Sequence, residues 1–471
     1  MSFKKGFFKN LLTVGGYSYS VQVINFLSST IISRLLLPKD YGFFALITVF
    51  TGFVSIFANA GFGAAIIRGD YGETYYKALR NLSFMIGVSI FFIMLILAYP
   101  LALFYGNMEL IIPTVVFSIV FIFRPLSIVP SAILRKKLDF IFLGQRDLYS
   151  TLLSVIITII LAYLGFTFWA LIIPQIVAAV LNYLFIENKV KLGYKIYSWK
   201  YTVAGYRHTK SLMANVLGFN LVNYWARNFD NLLIGKMYGT AELGIYNRAY
   251  SLLTLPLNLI SGVFGSILFP SLKKLVKDGG DYKKEYEDIL SIISMLDFPI
   301  AVVLILFPSQ LVQILWGDNW LMVAELLPYF GLMILTQGLV TTVGNIYYLL
   351  GKEKMNFYVG AVNAILMIAF IGIGAFFSVK DIVRVYALGY LLVNVPVNLY
   401  FGFVKSFGYD FQFIVRFWMP KIILSLLILF ALWVGMYKAL PILLLVYFTY
   451  LIVKNRSLGY LFYNSVLRKK I

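Results

Sequence analysis

Apolar residues fill this chain in long stretches, and short segments between them carry most of its charged residues. A helix needs roughly 20 apolar residues to cross a hydrocarbon core about 30 Å thick. A helix also satisfies its own backbone hydrogen bonds, which lipid cannot do. The pattern therefore predicts an all-α integral membrane protein with about fourteen transmembrane helices, placed at 11–37, 41–67, 81–104, 110–134, 147–164, 167–187, 211–238, 243–272, 289–315, 322–350, 356–378, 382–404, 418–436 and 439–453.

Composition agrees with this class. The chain is 61% hydrophobic and 13% charged, with a mean hydropathy of +0.85, which excludes an ordinary soluble domain. It has no cysteine, so disulfide and thiolate chemistry are excluded. The net charge of +20 could indicate nucleic acid, but in a membrane protein basic loops mark the cytoplasmic side and meet anionic lipids. We therefore expect membrane lipids and no nucleic acid as partners.

The basic residues also predict orientation. With both termini in the cytoplasm, 31 of the 40 lysines and arginines fall in cytoplasmic segments and six at outer ends. This split follows the positive-inside rule. The chain is therefore predicted to cross the membrane many times, with both termini in the cytoplasm.

The loops lack the size and the motifs that an enzyme would need. The outer loops are too short for an enzyme domain, and the inner loops lack the G-x-x-x-x-G-K-[ST] loop that cradles nucleotide phosphates. The one histidine, His208, cannot make a metal site without neighbouring ligands. We expect no enzyme activity, no catalytic residue, no cofactor and no metal.

The chain repeats itself after 202 residues. This shift aligns Asn25 with Arg227 and Arg34 with Lys236, and six spans per half give both halves the same orientation. The repeat predicts two six-helix lobes and two extra C-terminal helices. The predicted parts are an N-terminal lobe (1–187), a basic cytoplasmic linker (188–210), a C-terminal lobe (211–404), helices 13–14 (405–453) and a basic cytoplasmic tail (454–471).

Two equivalent spans carry a row of polar residues on one helical face. The first row is Ser18, Gln22, Asn25 and Ser29, and the second is Asn220, Asn223, Arg227 and Asp230. Such a row facing lipid would cost several kcal/mol. We interpret both rows as walls of one water-filled cavity.

Cations outnumber acids in and near the spans. The cations are Arg34, Arg124, Arg227, Lys236 and Arg248, and the acids, which are candidates for coupling or pairing, are Asp230, Asp297 and Glu325. An excess of arginine favours an anionic ligand, because the guanidinium donates two parallel hydrogen bonds to phosphate.

Other interpretations remain open for several of these residues. Arg227 and Asp230 could form a structural clasp, and Arg34 and Lys236 could extend to the interface. Arg124 could pair with Asp297.

Four segments stand out as a group. They are "SRLLLPKDYGFFALITVFTGFVSIFANAGFGAAIIR" (33–68), "PSAILRKKLDF" (130–140), "RNFDNLLIGKMYGTAELGIYNRAYSL" (227–252) and "GDNWLMVAELLPYFGLM" (317–333). These segments resemble the polysaccharide-transport family, which includes the Wzx-type flippases of the multidrug/oligosaccharidyl-lipid/polysaccharide (MOP) exporter superfamily. The resemblance covers most of residues 1–440. It implies a MATE/MOP-like fold that works by alternating access in the bacterial cytoplasmic (inner) membrane.

The resemblance also implies a substrate. It is an undecaprenyl-diphosphate-linked oligosaccharide, moved from the cytoplasmic to the outer leaflet for O-antigen, capsule or exopolysaccharide, with the glycan polymerase machinery as a candidate partner. By this resemblance, Arg227 and Arg248 are the first candidates for cations of the substrate cavity, and Arg34 and Arg124 are the next. From the polar faces, we add Gln22, Asn25 and Asn223 as substrate-binding candidates.

Three alternatives remain. A MATE-type drug/cation antiporter would favour acids in the first six spans, which have none deep within them. A lipid-linked peptidoglycan precursor flippase would use similar chemistry. An integral-membrane polysaccharide polymerase or ligase would need a sizeable outer loop.

Overall fold

The computed structural model describes residues 3–59, 61–68, 72–192 and 210–454. Within these ranges, the side chains of 3–15 and of some positions in 64–68, 210–226 and 260–274 lie outside the description.

We number the fourteen principal helices in chain order. They are α1 (Phe3–Leu35), α2 (Pro38–Asn59), α3 (Glu73–Tyr105), α4 (Met108–Lys136), α5 (Phe140–Tyr163), α6 (Trp169–Val190), α7 (Lys210–Met237), α8 (Gly239–Lys277), α9 (Tyr282–Leu306), α10 (Leu327–Leu349), α11 (Glu353–Gly374), α12 (Val379–Ser406), α13 (Phe411–Val434) and α14 (Tyr437–Lys454).

Two further helices, Phe62–Arg68 and Pro308–Trp316, are short. Some principal helices contain 3-10 or π turns, as at Met108–Leu110 in α4 and Asn398–Ser406 in α12. The described part of the chain contains no strand. This confirms the all-helical prediction for these residues.

Eleven helices within the described ranges are long and apolar enough to cross a membrane. They correspond to all the predicted spans except the first, seventh and eighth. Those three spans coincide with α1, α7 and α8, which contain positions outside the description. The total of fourteen spans stays a prediction. His208, most of the 188–210 linker and all but the first residue of the 454–471 tail also lie outside the described residues.

The chain divides into two compact units, Met1–Gly244 (unit 1) and Ile245–Ile471 (unit 2). In unit 1, α5 packs between α1 and α6, α4 packs between α6 and α3, and α2 contacts α3 and α7. The buried core between α3, α4 and the short helix Phe62–Arg68 includes Phe62, Leu79, Val129 and Ile133. This packing leaves one side of α1, α4, α5 and α6 facing a common space.

Unit 1 includes α7, which the repeat had assigned to the second lobe. Tyr224 of α7 donates hydrogen bonds to the backbone carbonyls of Thr48 and Val49 on α2. Its ring lies over Gly52, where a Cβ would come within 3.1 Å of a ring carbon. Contact with α2 therefore groups α7 with unit 1, whereas the lobe boundaries from the repeat stay predictions.

In unit 2, α9 packs along α10 and also contacts α14, while α13 contacts both α10 and α14. Much of α10 is buried, including Phe330, Leu332, Met333 and Leu339. By contrast, large apolar side chains on other helices are exposed, such as Ile365 of α11 at 67% and Trp433 of α13 at 70%. An apolar exterior over a packed interior suits lipid as the surrounding solvent.

Candidate functional site

A cavity of about 790 Å³ lies within unit 1, between α1, α4, α5 and α6. Three residues proposed from the sequence line it together: Gln22 and Asn25 of α1, and Arg124 of α4. Ser18, from the same polar row, also lines it. The structure thus shows that the polar face of α1 borders a cavity and meets an arginine there.

Local packing presents Arg124 to the cavity. Pro125, the next residue, fits against Gly87 of α3, where a Cβ would come within 2.6 Å of the proline ring. The hydroxyl of Ser83, also on α3, donates to the backbone carbonyl of Pro125 over 3.0 Å. Pro125 is buried against α3, whereas Arg124 is exposed to the cavity.

The guanidinium of Arg124 donates a hydrogen bond through Nη2 to Oε1 of Gln175 on α6, over 3.4 Å. A guanidinium has five N–H donors and no acceptor. This long contact with a neutral amide engages one donor, and the charge of Arg124 is not cancelled by it. The remaining donors are suited to an anion.

Two further arginines, Arg135 of α4 and Arg146 of α5, line the cavity toward the α4–α5 turn, together with Asp147. Arg146 forms an ion pair with Asp147 (Nη2 to Oδ1, 2.6 Å) and donates to the hydroxyl of Ser131 over 3.2 Å. Three arginines against one aspartate leave two formal positive charges on the cavity wall. The cavity can therefore attract and bind an anion.

Other polar residues line the cavity that the sequence analysis did not single out. They are Ser127, Arg135, Arg146, Asp147, Ser150, Thr151, Ser154, Gln175 and Asn182. Their spacing could have revealed them, because Arg124, Ser127 and Arg135 share one face of α4 as the polar row shares one face of α1. The charge pattern by itself places Arg135 and Arg146 only among the cytoplasmic basic residues.

The polar row of α7 is described in part. Arg227 is exposed, whereas Asp230 is 1% exposed and accepts a hydrogen bond from the backbone N–H of Asn231 over 2.8 Å. The side chain of Asn223 lies outside the described residues. Arg34 lies in the last turn of α1 and is exposed. The binding roles proposed for these residues stay predictions.

The remaining candidates belong to unit 2. Arg248 of α8 lies over the rings of Trp316 and Trp320, with its guanidinium carbon 5.6 Å from each centroid. Such cation–π contacts help to fix the orientation of an arginine side chain. Its role in a cavity stays a prediction.

The two acids proposed in this unit, Glu325 and Asp297, differ in their burial and in whether they have a partner among the described residues. Glu325 precedes α10 and forms an ion pair with Lys380 (2.8 Å). Asp297 of α9 is fully buried, and neither of its carboxylate oxygens has a hydrogen-bond partner among the described residues. The pairing of Asp297 with Arg124 stays a prediction.

No cluster of three or more histidine, cysteine, aspartate or glutamate side chains that could hold a metal ion occurs in the ranges that the structure describes. The cavity wall instead offers guanidinium, amide and hydroxyl groups. These donor groups suit an oxyanion better than a cation.

Comparison with known proteins supports a role in glycan biosynthesis. A family model described as "Polysaccharide biosynthesis protein" matches residues 31–325. The chain is 26% identical over 315 residues to the teichuronic acid biosynthesis protein TuaB of Bacillus subtilis, covering 65% of this chain and 64% of that protein. The match thus spans slightly less than two thirds of TuaB's own length.

Two other curated relatives are similar over more of their length. The lipopolysaccharide biosynthesis protein WzxC of Escherichia coli is 21% identical, covering 83% of this chain and 80% of that protein. The succinoglycan biosynthesis transport protein ExoT of Rhizobium meliloti is 21% identical, covering 75% and 71%.

Solved structures share the fold. The lipid II flippase MurJ in an inward closed conformation matches with a TM-score of 0.72 at 14% identity, covering 95% of this chain and 99% of that one. An inward-facing multidrug resistance MATE transporter of the MOP superfamily matches with a TM-score of 0.63 at 15% identity, covering 82% and 94%. At such low identities these matches show the fold alone, and they confirm the MATE/MOP-like prediction.

The names among these that state an activity describe a transport protein, a flippase and a multidrug transporter, not enzymes. With a family match over more than half of its length, this chain belongs to the polysaccharide biosynthesis protein family, and its fold is that of a multi-pass integral membrane protein.

Proposed function

We propose that this protein moves undecaprenyl-diphosphate-linked oligosaccharide repeat units from the cytoplasmic to the outer leaflet of the bacterial inner membrane. The units would supply O-antigen, capsule or exopolysaccharide. Membership of the polysaccharide biosynthesis family and the names of TuaB, WzxC and ExoT support the glycan class. The name of MurJ, a lipid II flippase with the same fold, supports a lipid-linked substrate.

The observation that carries this proposal is the cavity of unit 1. Its volume of about 790 Å³ lies in the range of small-ligand sites, about 300–1,000 Å³. The wall has two excess positive charges, and the exposed guanidinium of Arg124 contributes to them, which suits a diphosphate. The hydroxyl and amide groups nearby suit the first sugars, and the polyprenyl tail would stay in lipid.

The proposed topology has fourteen spans with both termini in the cytoplasm. The cavity then extends from the middle of the membrane toward the cytoplasmic α4–α5 turn, near Arg135 and Arg146. An interior-negative potential favours outward movement of each negative charge by about 2.3 kcal/mol per 100 mV. A diphosphate could therefore be driven outward without ATP.

Two alternative cargoes compete within this fold. A drug cation would be repelled by a cavity with two excess positive charges, so the MATE-type antiporter is less favoured. A lipid-linked peptidoglycan precursor carries the same diphosphate chemistry, and the fold similarity to MurJ keeps it as a second candidate. Family membership favours the oligosaccharide.

The test is glycan export in a flippase-null strain that carries the glycosyltransferases for its repeat unit. We expect the wild-type protein to restore surface glycan and Arg124→Ala to reduce it about tenfold or more at equal membrane abundance, which corresponds to losing about 1.4 kcal/mol of binding. Lys137→Ala, which removes an exposed cation outside the cavity lining, is the matched control and should export normally.

Two results would contradict the proposal. One is wild-type export by Arg124→Ala. The other is rescue of a lipid II flippase mutant without any restoration of glycan export, which would select the peptidoglycan precursor instead.

A further inference from the structure

Asp297 lies in the middle of α9 in an unusual environment. Its side chain is completely buried, and both carboxylate oxygens lack a hydrogen-bond partner among the described residues. α9 is one of the helices that can cross a membrane. A carboxyl group in this position requires a physical explanation.

The structure separates Asp297 from the other two acids that the sequence offered for coupling. Asp230 accepts a backbone hydrogen bond on α7, and Glu325 is paired with Lys380. Either of these could remain ionised at modest cost, because a partner stabilises the charge. Asp297 has no such compensation in the described part of the chain.

The contact between Asp297 and Gly338 of α10 is tight. A Cβ at position 338 would overlap Oδ2 of Asp297 and would lie 2.8 Å from its Cγ. Only glycine lets the carboxyl group rest directly on the backbone of α10. The carboxyl group is thus part of the packed α9–α10 interface.

Within the described part of the chain, the helices that contact α9 place no countercharge next to Asp297. α10 and the short helix Pro308–Trp316 contain no Asp, Glu, Lys, Arg or His. From α14, Tyr447 lies within electrostatic range, and its lysines, Lys438 and Lys454, lie at the two ends of that helix. On α9 itself, the nearest charged residue is Asp288, more than two turns away.

An ionised carboxylate without a partner is costly in such a site, by tens of kcal/mol in the idealised limit, and the group neutralises instead. A metal ion would need several oxygen ligands, about six to eight for calcium. The described residues contain no cluster of three metal-binding side chains. We propose that Asp297 is a proton-binding site, occupied as the neutral acid in the conformation described.

Both helices are weakened next to this site. Pro299, two residues after Asp297, removes a backbone donor inside α9. The regular part of α10 ends at Val340, and a separate helical turn follows from Val343. These breaks allow the α9–α10 interface to open, water to reach Asp297 and the proton to leave.

Release and uptake of this proton would couple export to the proton gradient. This consequence rests on the proposed function, whereas proton binding at Asp297 does not. The two parts are therefore tested separately.

The first test is infrared spectroscopy of the purified full chain in lipid nanodiscs. We expect the band of a protonated carboxylic acid near neutral pH, lost in Asp297→Asn and kept in Glu285→Gln. The control removes an exposed acid from the same helix. Equal bands in the wild type and Asp297→Asn would overturn the proposal, and so would loss of the band when sodium is added at constant pH.

If Asp297→Asn fails to accumulate, ¹³C-aspartate labelling of the wild type tests whether the protonated group is an aspartate at all. A carboxylic acid band that shifts with the label supports a protonated aspartate. A band that does not shift overturns the proposal. No transported glycan is needed, so this result is independent of the cargo.

The second test measures export in cells whose pH gradient is collapsed while the membrane potential is kept. We expect wild-type export to fall several-fold, and export by Asp297→Asn to be low and unaffected by the collapse. A wild-type response to the gradient in Asp297→Asn would overturn the coupling. Failure of export in every variant, with the infrared band intact, would count against the proposed cargo and not against the proton site.

Discussion

The guanidinium of Arg124 on α4 and the side-chain amide of Gln175 on α6 are joined by a hydrogen bond of 3.4 Å, and each residue lies next to a proline of its own helix. Pro125 and Pro174 each remove a backbone donor, so helix geometry is least regular where these two side chains meet. This hydrogen bond pairs the cationic side chain of Arg124 with the neutral side chain of Gln175 inside the cavity.

This relationship predicts different effects for two changes at Gln175. Gln175→Glu keeps the shape but adds a carboxylate that would pair with Arg124 and cancel its charge. We expect glycan export to fall about as far as in Arg124→Ala. Gln175→Leu removes only a hydrogen bond worth about 1 kcal/mol, so a loss of about fivefold is expected. Export and membrane abundance are measured together, and a milder effect for the glutamate variant would contradict an anionic ligand.

The ion pair between Arg80 of α3 and Glu187 of α6 predicts an unequal stability effect. The Nη2–Oε2 distance is 2.7 Å, and the side chain of Arg80 is 2% exposed, whereas that of Glu187 is 24% exposed. Removing Glu187 takes a partner from a buried charge and should cost about 3–5 kcal/mol, whereas removing Arg80 leaves a carboxylate that is partly exposed and should cost less. Thermal unfolding in detergent should show a larger loss for Glu187→Leu than for Arg80→Met. The double variant should recover much of the loss, and equal additive losses would show that the pair is not coupled.

The contact between α2 and α7 predicts a graded loss of stability in unit 1. Tyr224→Phe removes the donor to the carbonyls of Thr48 and Val49, at a cost of about 1 kcal/mol. Gly52→Val should cost more, because even a Cβ there meets the Tyr224 ring. Unfolding temperatures of the two variants provide the measurement. Wild-type stability of Gly52→Val would exclude this packing.

Arg227 and Asp230 should differ in what their loss affects. Asp230 is buried, and Asp230→Asn replaces one acceptor oxygen with an amide that must donate, so the variant should lower membrane abundance. Arg227 is exposed, so Arg227→Ala should leave abundance normal but reduce export, and Arg227→Lys should retain part of it. Similar losses of abundance for Arg227→Ala and Asp230→Asn would support the clasp instead.

The proposed topology predicts which positions are reached from outside. Single cysteines are clean probes, because the natural chain has none. Cysteines replacing Asn107 and Asn319 should react with an impermeant thiol reagent in intact cells. Cysteines replacing Lys137 and Lys283 should react only after permeabilisation. External labelling at position 283 would reverse the orientation.

The chain's pattern alone predicted most of the helices, because the bilayer imposes a simple length rule on apolar runs. The observed helix ends differ from the predicted ends where the local sequence forms another structure. The span expected at 322–350 begins at Leu327, so Glu325 falls on a 3-10 segment before it. The polar face of α1 was also readable, since side chains spaced three and four apart share one side of any helix.

Tertiary structure decided which helix faces lie against each other. The spacing of Gln22 and Asn25 could not indicate that α4, α5 and α6 would close the other sides of their cavity, or that Arg135 and Arg146 would belong to it. Likewise, three acids looked equivalent along the chain. Only packing placed Asp297 against Gly338 with no hydrogen-bond partner among the described residues, because burial and pairing depend on residues that are distant in sequence.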